Sequence, residues 1–408
     1  MALLDDLPNE LLRKIFSYLG CEDLVCISMV SRHLNATADP CIYRSPWVTY
    51  AALCKFLRTI LSRPMLANYV RSVSLHPSNS ATLRFLPVYP ILNTTADTFG
   101  LEDRLDLKGG QIILLLHILP RLESFAITSS ELDISGDFLD RYKFQPATTL
   151  PIGLKSLRNI GCHQFLSDDM SPHTLLTILL LPSIHTVEIW GFEKWDTDDL
   201  YQFEGTSMVK DLQFRQGNVD APTLARILKI PIALERFAYG HSFPSSHMWF
   251  DAPEIGKILG THRATLQLID ICFDRDSTGF GGAGLEFSPG FGGGGSAVQG
   301  VIGSLREWPV LVELHCDLTL LLGVKPKAAV SRLVDVLPVA LQEFGIRGDR
   351  FWKEKEIADE VKHMLDMREA YGLHSLKVLR VAEYMRELRD LLKAPCEAAG
   401  IYLGSFQE

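Results

Sequence analysis

Ten short segments carry apolar residues two apart, and they recur from residue 70 to residue 381. They are VRSVSL (70–75), LESFAIT (122–128), LKSLRNI (154–160), HTVEIW (185–190), VKDLQF (209–214), LERFAY (234–239), LQLIDICF (266–273), LVELHCD (311–317), LQEFGIR (341–347) and LKVLRV (376–381). A period of two is the mark of a strand with one face buried. Several follow an apolar helical stretch that ends near a proline, as in LLLHILPRLESFAIT, LLTILLLPSIHTVEIW and ILKIPIALERFAY. The order helix, turn, strand therefore repeats, at intervals of about 25 to 50 residues. A helix between successive strands lets those strands run parallel, so the chain is expected to be α/β with a parallel sheet.

Two architectures use such alternating units: a solenoid and a doubly wound sheet. The strands here read LxxLxL rather than as continuous Val/Ile runs, which favours an irregular, leucine-rich-repeat-like solenoid over residues 48–408. The stretch at about 275–300 is Gly-rich and poor in apolar residues, and reads as an insertion between repeats. A last helix around AEYMRELRDLLKAPCEAAG, with a charged outer face, is expected to cap the open end.

Ahead of these segments stands a short helical unit, LPNELLRKIFSYLGCEDLVCISMVSRHL (7–34). Asp5 and Asp6 precede its start and Pro8 falls in the first turn, where a missing N–H costs nothing. Glu10 suits the helix dipole and Gly20 reads as the stop, giving a helix of about three turns. Leu7, Leu11, Leu12, Ile15, Phe16 and Leu19 form one stripe, broader than a single neighbour in a small bundle requires. A second short helix starts at Glu22 and Asp23 and carries Leu24, Ile27 and Val30; Ser31 caps a third, and Asp39 with Pro40 reads as the start of another. About forty residues of this kind bury too little to stand alone, so the following domain or a partner must cover the apolar face.

This unit resembles the F-box. The family pattern runs from an acidic start through Leu7-Pro8-Asn9-Glu10, Ile15, Leu19, Asp23-Leu24 and Val30-Ser31-Arg32 to Asp39-Pro40 and Tyr43-Arg44, in order and at the family's spacing. Ile42-Tyr43-Arg44 stands where members often have Leu-Trp-Arg. The resemblance spans residues 3 to 47 and implies a helical module over 1–47. It further implies that Leu7, Pro8, Leu11, Ile15, Leu19, Leu24 and Val30 meet a Skp-type adaptor, and through it cullin and RING subunits. F-boxes commonly precede leucine-rich repeats, so the resemblance implies the substrate receptor of an SCF-type ubiquitin ligase. Alternatives are an F-box scaffold without a degradation role and an α/β enzyme that carries an F-box.

Composition sets the remaining limits. A net charge of −9 disfavours general nucleic-acid binding, because a phosphate backbone needs a basic field. The opening MALLDDLPNE is acidic where a secretory signal is basic, and the longest apolar runs fall short of a membrane span. Eight cysteines without paired spacing suit reduced thiols in the cytosol or nucleus.

No catalytic group, metal or cofactor is expected. Gly279 to Gly284 match G-x-G-x-x-G without the helix that must follow, and YGHSFPSSH has Pro244 where a nucleophile elbow needs glycine. His241 and His247, like Cys162-His163, lack further ligands at metal spacing, and Cys396 reads as a cysteine in a terminal helix. A client protein is expected on the outward-pointing strand positions: Glu188, Trp190, Gln213, Arg215, Arg236, His315, Asp317, Arg347 and Arg380.

Overall fold

A computed structural model describes residues 4, 7–77, 90–99, 108–129, 150–164, 172–192, 202–217, 219–241, 250–273, 298–324, 331–348 and 352–406. Compactness divides the chain into two units, Met1–Glu188 and Ile189–Glu408. The first unit opens with three helices, α1 (Asn9–Phe16), α2 (Cys21–Ser28) and α3 (Arg32–Ile42). Pro8 occupies the N-cap position of α1, and the helix closes at Ser17 after eight residues, shorter than the three turns expected. Gly20 is not its stop but the extended N-cap of α2. Ser31 caps α3 as expected, its Oγ accepting from Leu34 N at 3.1 Å.

Asp39 and Pro40 depart from the expectation. No new helix begins there; Pro40 lies inside α3, two residues from its end, where the missing N–H forfeits only one late hydrogen bond. Asp39 is buried, and its carboxylate pairs with the Arg63 guanidinium beyond the module. The module has its own core of Leu12, Phe16, Leu24, Leu34 and Ala38, with Leu7, Leu19, Ile27, Cys41 and Ile42 packed against it.

The first unit continues as β1 (Trp47–Thr49), α4 (Tyr50–Ser62), β2 (Ser72–His76), α5 (Pro90–Thr98), α6 (Lys108–Ile118), β3 (Ser124–Ser129), α7 (Ile152–Ser156), β4 (Asn159–Gln164) and α8 (Pro172–Leu180). Then β5 (Thr186–Trp190) crosses the division between the units. The second unit carries β6 (Asp211–Gly217), α9 (Ala221–Leu228), β7 (Arg236–His241), β8 (Phe250–Asp251), α10 (Ala252–Leu259), β9 (Leu268–Phe273) and β10 (Val298–Gln299). After these come β11 (Glu313–Cys316), α11 (Leu318–Leu322), α12 (Leu333–Val336), β12 (Glu343–Ile346), α13 (Glu354–Met367), β13 (Val378–Val381), α14 (Arg386–Ala398) and β14 (Tyr402–Ser405).

In the first unit the strands lie in the order β1-β2-β3-β4-β5, and in the second β6-β7-β9-β11-β12-β13-β14, with β8 and β10 as a separate parallel pair. The described ladders are parallel throughout. Strand order follows chain order within each unit, so neither has the reversal that defines a doubly wound sheet. All ten sequence segments contain strand, with one correction: LKSLRNI is split, Leu154–Ser156 ending helix α7 and only Asn159 and Ile160 opening β4. Strands β1 and β14, of three and four residues, went unread.

The LxxLxL pattern is the packing rule. Leu122, Phe125 and Ile127 are buried, as are Leu234, Phe237 and Tyr239, and Leu341, Phe344 and Ile346. Register stacks these side chains in rows: Leu212 opposes Phe237, which opposes Ile269, then Leu314, Phe344 and Leu379. At the entry to several strands one backbone carbonyl takes two N–H groups of the next repeat. Arg71 O accepts from Glu123 and Ser124 at 2.7 and 2.9 Å, Lys210 O from Glu235 and Arg236 at 2.8 and 2.9 Å, and Val312 O from Gln342 and Glu343 at 2.8 and 3.0 Å.

Two helices share an entry. Asp220-Ala221-Pro222 and Asp251-Ala252-Pro253 place an aspartate at the N-cap and a proline in the first turn; Asp220 accepts from Thr223 N at 2.9 Å and Asp251 from Glu254 N at 3.1 Å. Gly256 on α10 is required by contact, since a Cβ there would stand 1.9 Å from Ile302 O. The terminal helix α14 buries Leu388, Leu392 and Cys396 on one stripe, but it does not end the array: β14 follows and forms the edge. The Gly-rich stretch up to residue 297, including the glycines 279–284, lies outside the described residues, as do Asp5, Asp6, Pro244 and His247.

Candidate partner-binding surfaces

Two surfaces carry the residues the sequence singles out. On the helical module, Pro8, Leu11, Ile15 and Val30 are exposed, Val30 to 73% and Leu11 to 50%. Leu7 and Leu19 are half-buried against the module's core, and Leu24 is 4% exposed within it. The structure adds residues the sequence reading missed: Tyr18 at 80%, Met29 at 75% and Val25 at 42%. Leu11 and Ile15 stand at i and i+4 on α1 with Tyr18 in the turn that follows it, and Val25 stands on α2 four residues before Met29 at its C-cap. Burying each such side chain under a partner is worth about 1.5 to 3 kcal/mol. The broad apolar stripe was visible in the sequence, but which half turns inward depends on α2 and α3.

The second surface is the outward face of the second unit's strands, and there the expected client residues are tied together by acids the sequence reading did not name. Asp270 accepts from Arg347 through Nε at 3.0 Å and Nη2 at 2.5 Å, and Arg215 Nη1 stands 3.8 Å from its Oδ2. Glu343 accepts from Arg380 through Nε at 2.5 Å and Nη2 at 3.3 Å, and lies 3.0 Å from His315 Nε2. Gln213 bridges Asp211, to which it donates at 3.1 Å, and Arg215, from which it accepts at 3.1 Å. Arg236 pairs with Asp211 at 3.6 Å. The Arg347 guanidinium lies over the Phe406 ring at 4.0 Å.

Burial separates the charges by depth. The side chains of Asp270 and Glu343 are 6 and 16% exposed, and those of the arginines on them, Arg347, Arg380 and Arg215, about a third. Burial alone would raise the Glu343 carboxyl, but the Arg380 bond and charge, with His315, hold it below the usual carboxylate range. Burial lowers His315 despite the neighbouring Asp270 and Glu343. Asp317 is buried at the N-cap position of α11, and Glu188 and Trp190 stand half-buried on β5, alternating with buried Val187 and Ile189 as expected. The missed acids sit at outward positions inside apolar runs, Asp270 in LIDICF and Glu343 in EFGI. One sequence without its register does not reveal which arginine reaches them.

The other groups weighed for chemistry are packed away. His241 is buried, with Nδ1 2.9 Å from Tyr239 OH, among Phe250 and Phe273, and burial pushes its pKa down to about 4. Burial pushes the Cys162 and Cys272 thiols up to about 12 and Cys396 up to about 11, so none is a thiolate at neutral pH. None of the eight cysteines is in a disulfide. Among the described residues no helix is long and apolar enough to cross a membrane.

Comparison with known proteins places a family on the first surface. Residues 4–49 match the family model described as F-box-like, so the helical module is an F-box-like domain, which supports a general role in binding a Skp-type adaptor. No curated protein matches the chain.

Proposed function

We propose that the chain is the substrate-receptor subunit of a cullin–RING ubiquitin ligase. The observation that carries this reading is the exposed apolar set Leu11, Ile15, Tyr18, Val25 and Met29 on an F-box-like domain that already fills its own core with other residues. An apolar face left over after the core is complete belongs to a partner. The rest of the chain acts as a leucine-rich-repeat-like solenoid that holds a client on its outward strand face. The buried, protonated thiols support a receptor that contributes no catalytic group of its own. Transfer then depends on proximity: tethering raises the concentration of client lysines near a charged enzyme to about millimolar. Eight cysteines outside any disulfide support a reducing compartment, cytosol or nucleus.

The test exchanges exposed residues only. Leu11→Asp with Ile15→Asp places two charges in the adaptor interface and leaves the module's core intact. Co-purification of the adaptor is expected to fall at least tenfold, about 1.4 kcal/mol or more, with the melting temperature unchanged. Full adaptor capture by this variant overturns the reading.

A further inference from the structure

We propose that Glu313, His315 and Glu343 form a binding site for a divalent transition-metal ion of the zinc type on the outward face of the second unit. Glu313 on β11 is the register partner of Glu343 on β12, and His315 follows two residues later on the same side of β11. One ligand atom from each of the three lies within 4.8 Å of the others, and His315 Nε2 is 3.0 Å from Glu343 Oε1.

Two carboxylates directly opposite across a ladder repel each other. Arg380 answers one of them, donating to Glu343 through Nε and Nη2. The Glu313 carboxylate accepts no hydrogen bond and forms no salt bridge among the described residues, and it feels Arg380 only through its charge. After Arg380 is counted, the site keeps one uncompensated negative charge beside the His315 imidazole.

The donor set selects the ion. One imidazole with two carboxylates suits zinc and its neighbours, whereas calcium takes six to eight oxygens and magnesium keeps most of its water. Tetrahedral zinc with bonds of about 2.0 to 2.2 Å holds its ligand atoms about 3.3 to 3.6 Å apart, so a spread of up to 4.8 Å closes with a movement of about 1.2 to 1.5 Å by the half-buried Glu313 carboxylate. His315 then carries its N–H on Nδ1, and Glu343 binds the ion through one oxygen while the other stays on Arg380, as a supporting contact to a ligating carboxylate. Three protein ligands leave a coordination position open toward solvent.

The test needs neither adaptor nor client, so its outcome is independent of the receptor reading. Untagged full-length chain carrying Cys21→Ser and Cys26→Ser, which removes the two exposed thiols, is titrated with zinc by calorimetry and with cobalt by visible absorption. One ion per chain is expected, with zinc and not magnesium raising the melting temperature. Glu313→Gln and His315→Gln are each expected to weaken binding by about tenfold or more with unchanged circular dichroism. Failure of the parent chain to bind zinc stoichiometrically, or undiminished binding by both variants, overturns the proposal. Should a variant fail to fold, the parent's cobalt spectrum decides: tetrahedral bands from nitrogen and oxygen ligands support the site, and a thiolate charge-transfer band or no band overturns it.

Discussion

His241 shows what a single buried residue contributes. Its imidazole is 2% exposed, bonded to Tyr239 and boxed by Phe250 and Phe273, and its native pKa near 4 lies well below the ordinary 6.5. Between those values the unfolded chain binds a proton that the native chain refuses, so stability rises with pH through that window and is lost as pH falls from 6.5 toward 4. The full effect is on the order of 3 kcal/mol. Denaturant unfolding at pH 7.5 and 4.5 measures it: the wild type is expected to lose more stability on acidification than His241→Phe, and equal losses would place the imidazole in water. The sequence offered this histidine only as an isolated metal candidate. Its aromatic box is built by strands β7, β8 and β9, which no local pattern joins.

The elements were legible where they depend on period and caps. All ten strand segments follow from apolar alternation, and Ser31 from its place before an apolar run. The errors fall where tertiary contact overrides a local signal. Pro40 reads as a helix start, but the Asp39–Arg63 pair and the core contacts of Leu34 and Ala38 keep α3 continuous past it. Strand β4 begins later than its leucines suggest because Pro151 initiates α7 across the same stretch. Edge strands β1 and β14 are too short to show a period. The paired Asp-Ala-Pro entries lead to a prediction at this scale. Asp220→Ala and Asp251→Ala each remove a side-chain acceptor from a helix start, and each is expected to cost about 0.5 to 2 kcal/mol in urea unfolding. The corresponding Asn variants should recover most of that loss, which separates a capping role from a charge effect.

For the molecule as a whole, the F-box-like module and the strand face differ in how much of their function the sequence shows. The module's apolar excess is visible in one short stretch, whereas the outward face is a cross-strand network whose acids and arginines lie up to 77 positions apart. That network sharpens the prediction that separates client binding from folding. Trp190→Ala with Arg215→Ala and Arg236→Ala removes one aromatic and two cations from the outward face. Arg236 is 54% exposed, and its pair with Asp211 belongs to the class of surface pairs worth about 1 kcal/mol or less. Arg215 gives up a 3.8 Å approach to Asp270, but Asp270 keeps both bonds from Arg347, so no carboxylate is left buried and unpaired. The triple variant is therefore expected to keep its circular dichroism, its adaptor binding and its melting temperature to within a few degrees. If the face holds the client, each truncation removes about 1 to 3 kcal/mol of binding, and clients captured from cells with ligase turnover blocked should fall tenfold or more. Loss of fold would show that the network is structural, while undiminished capture would move the client off this face altogether.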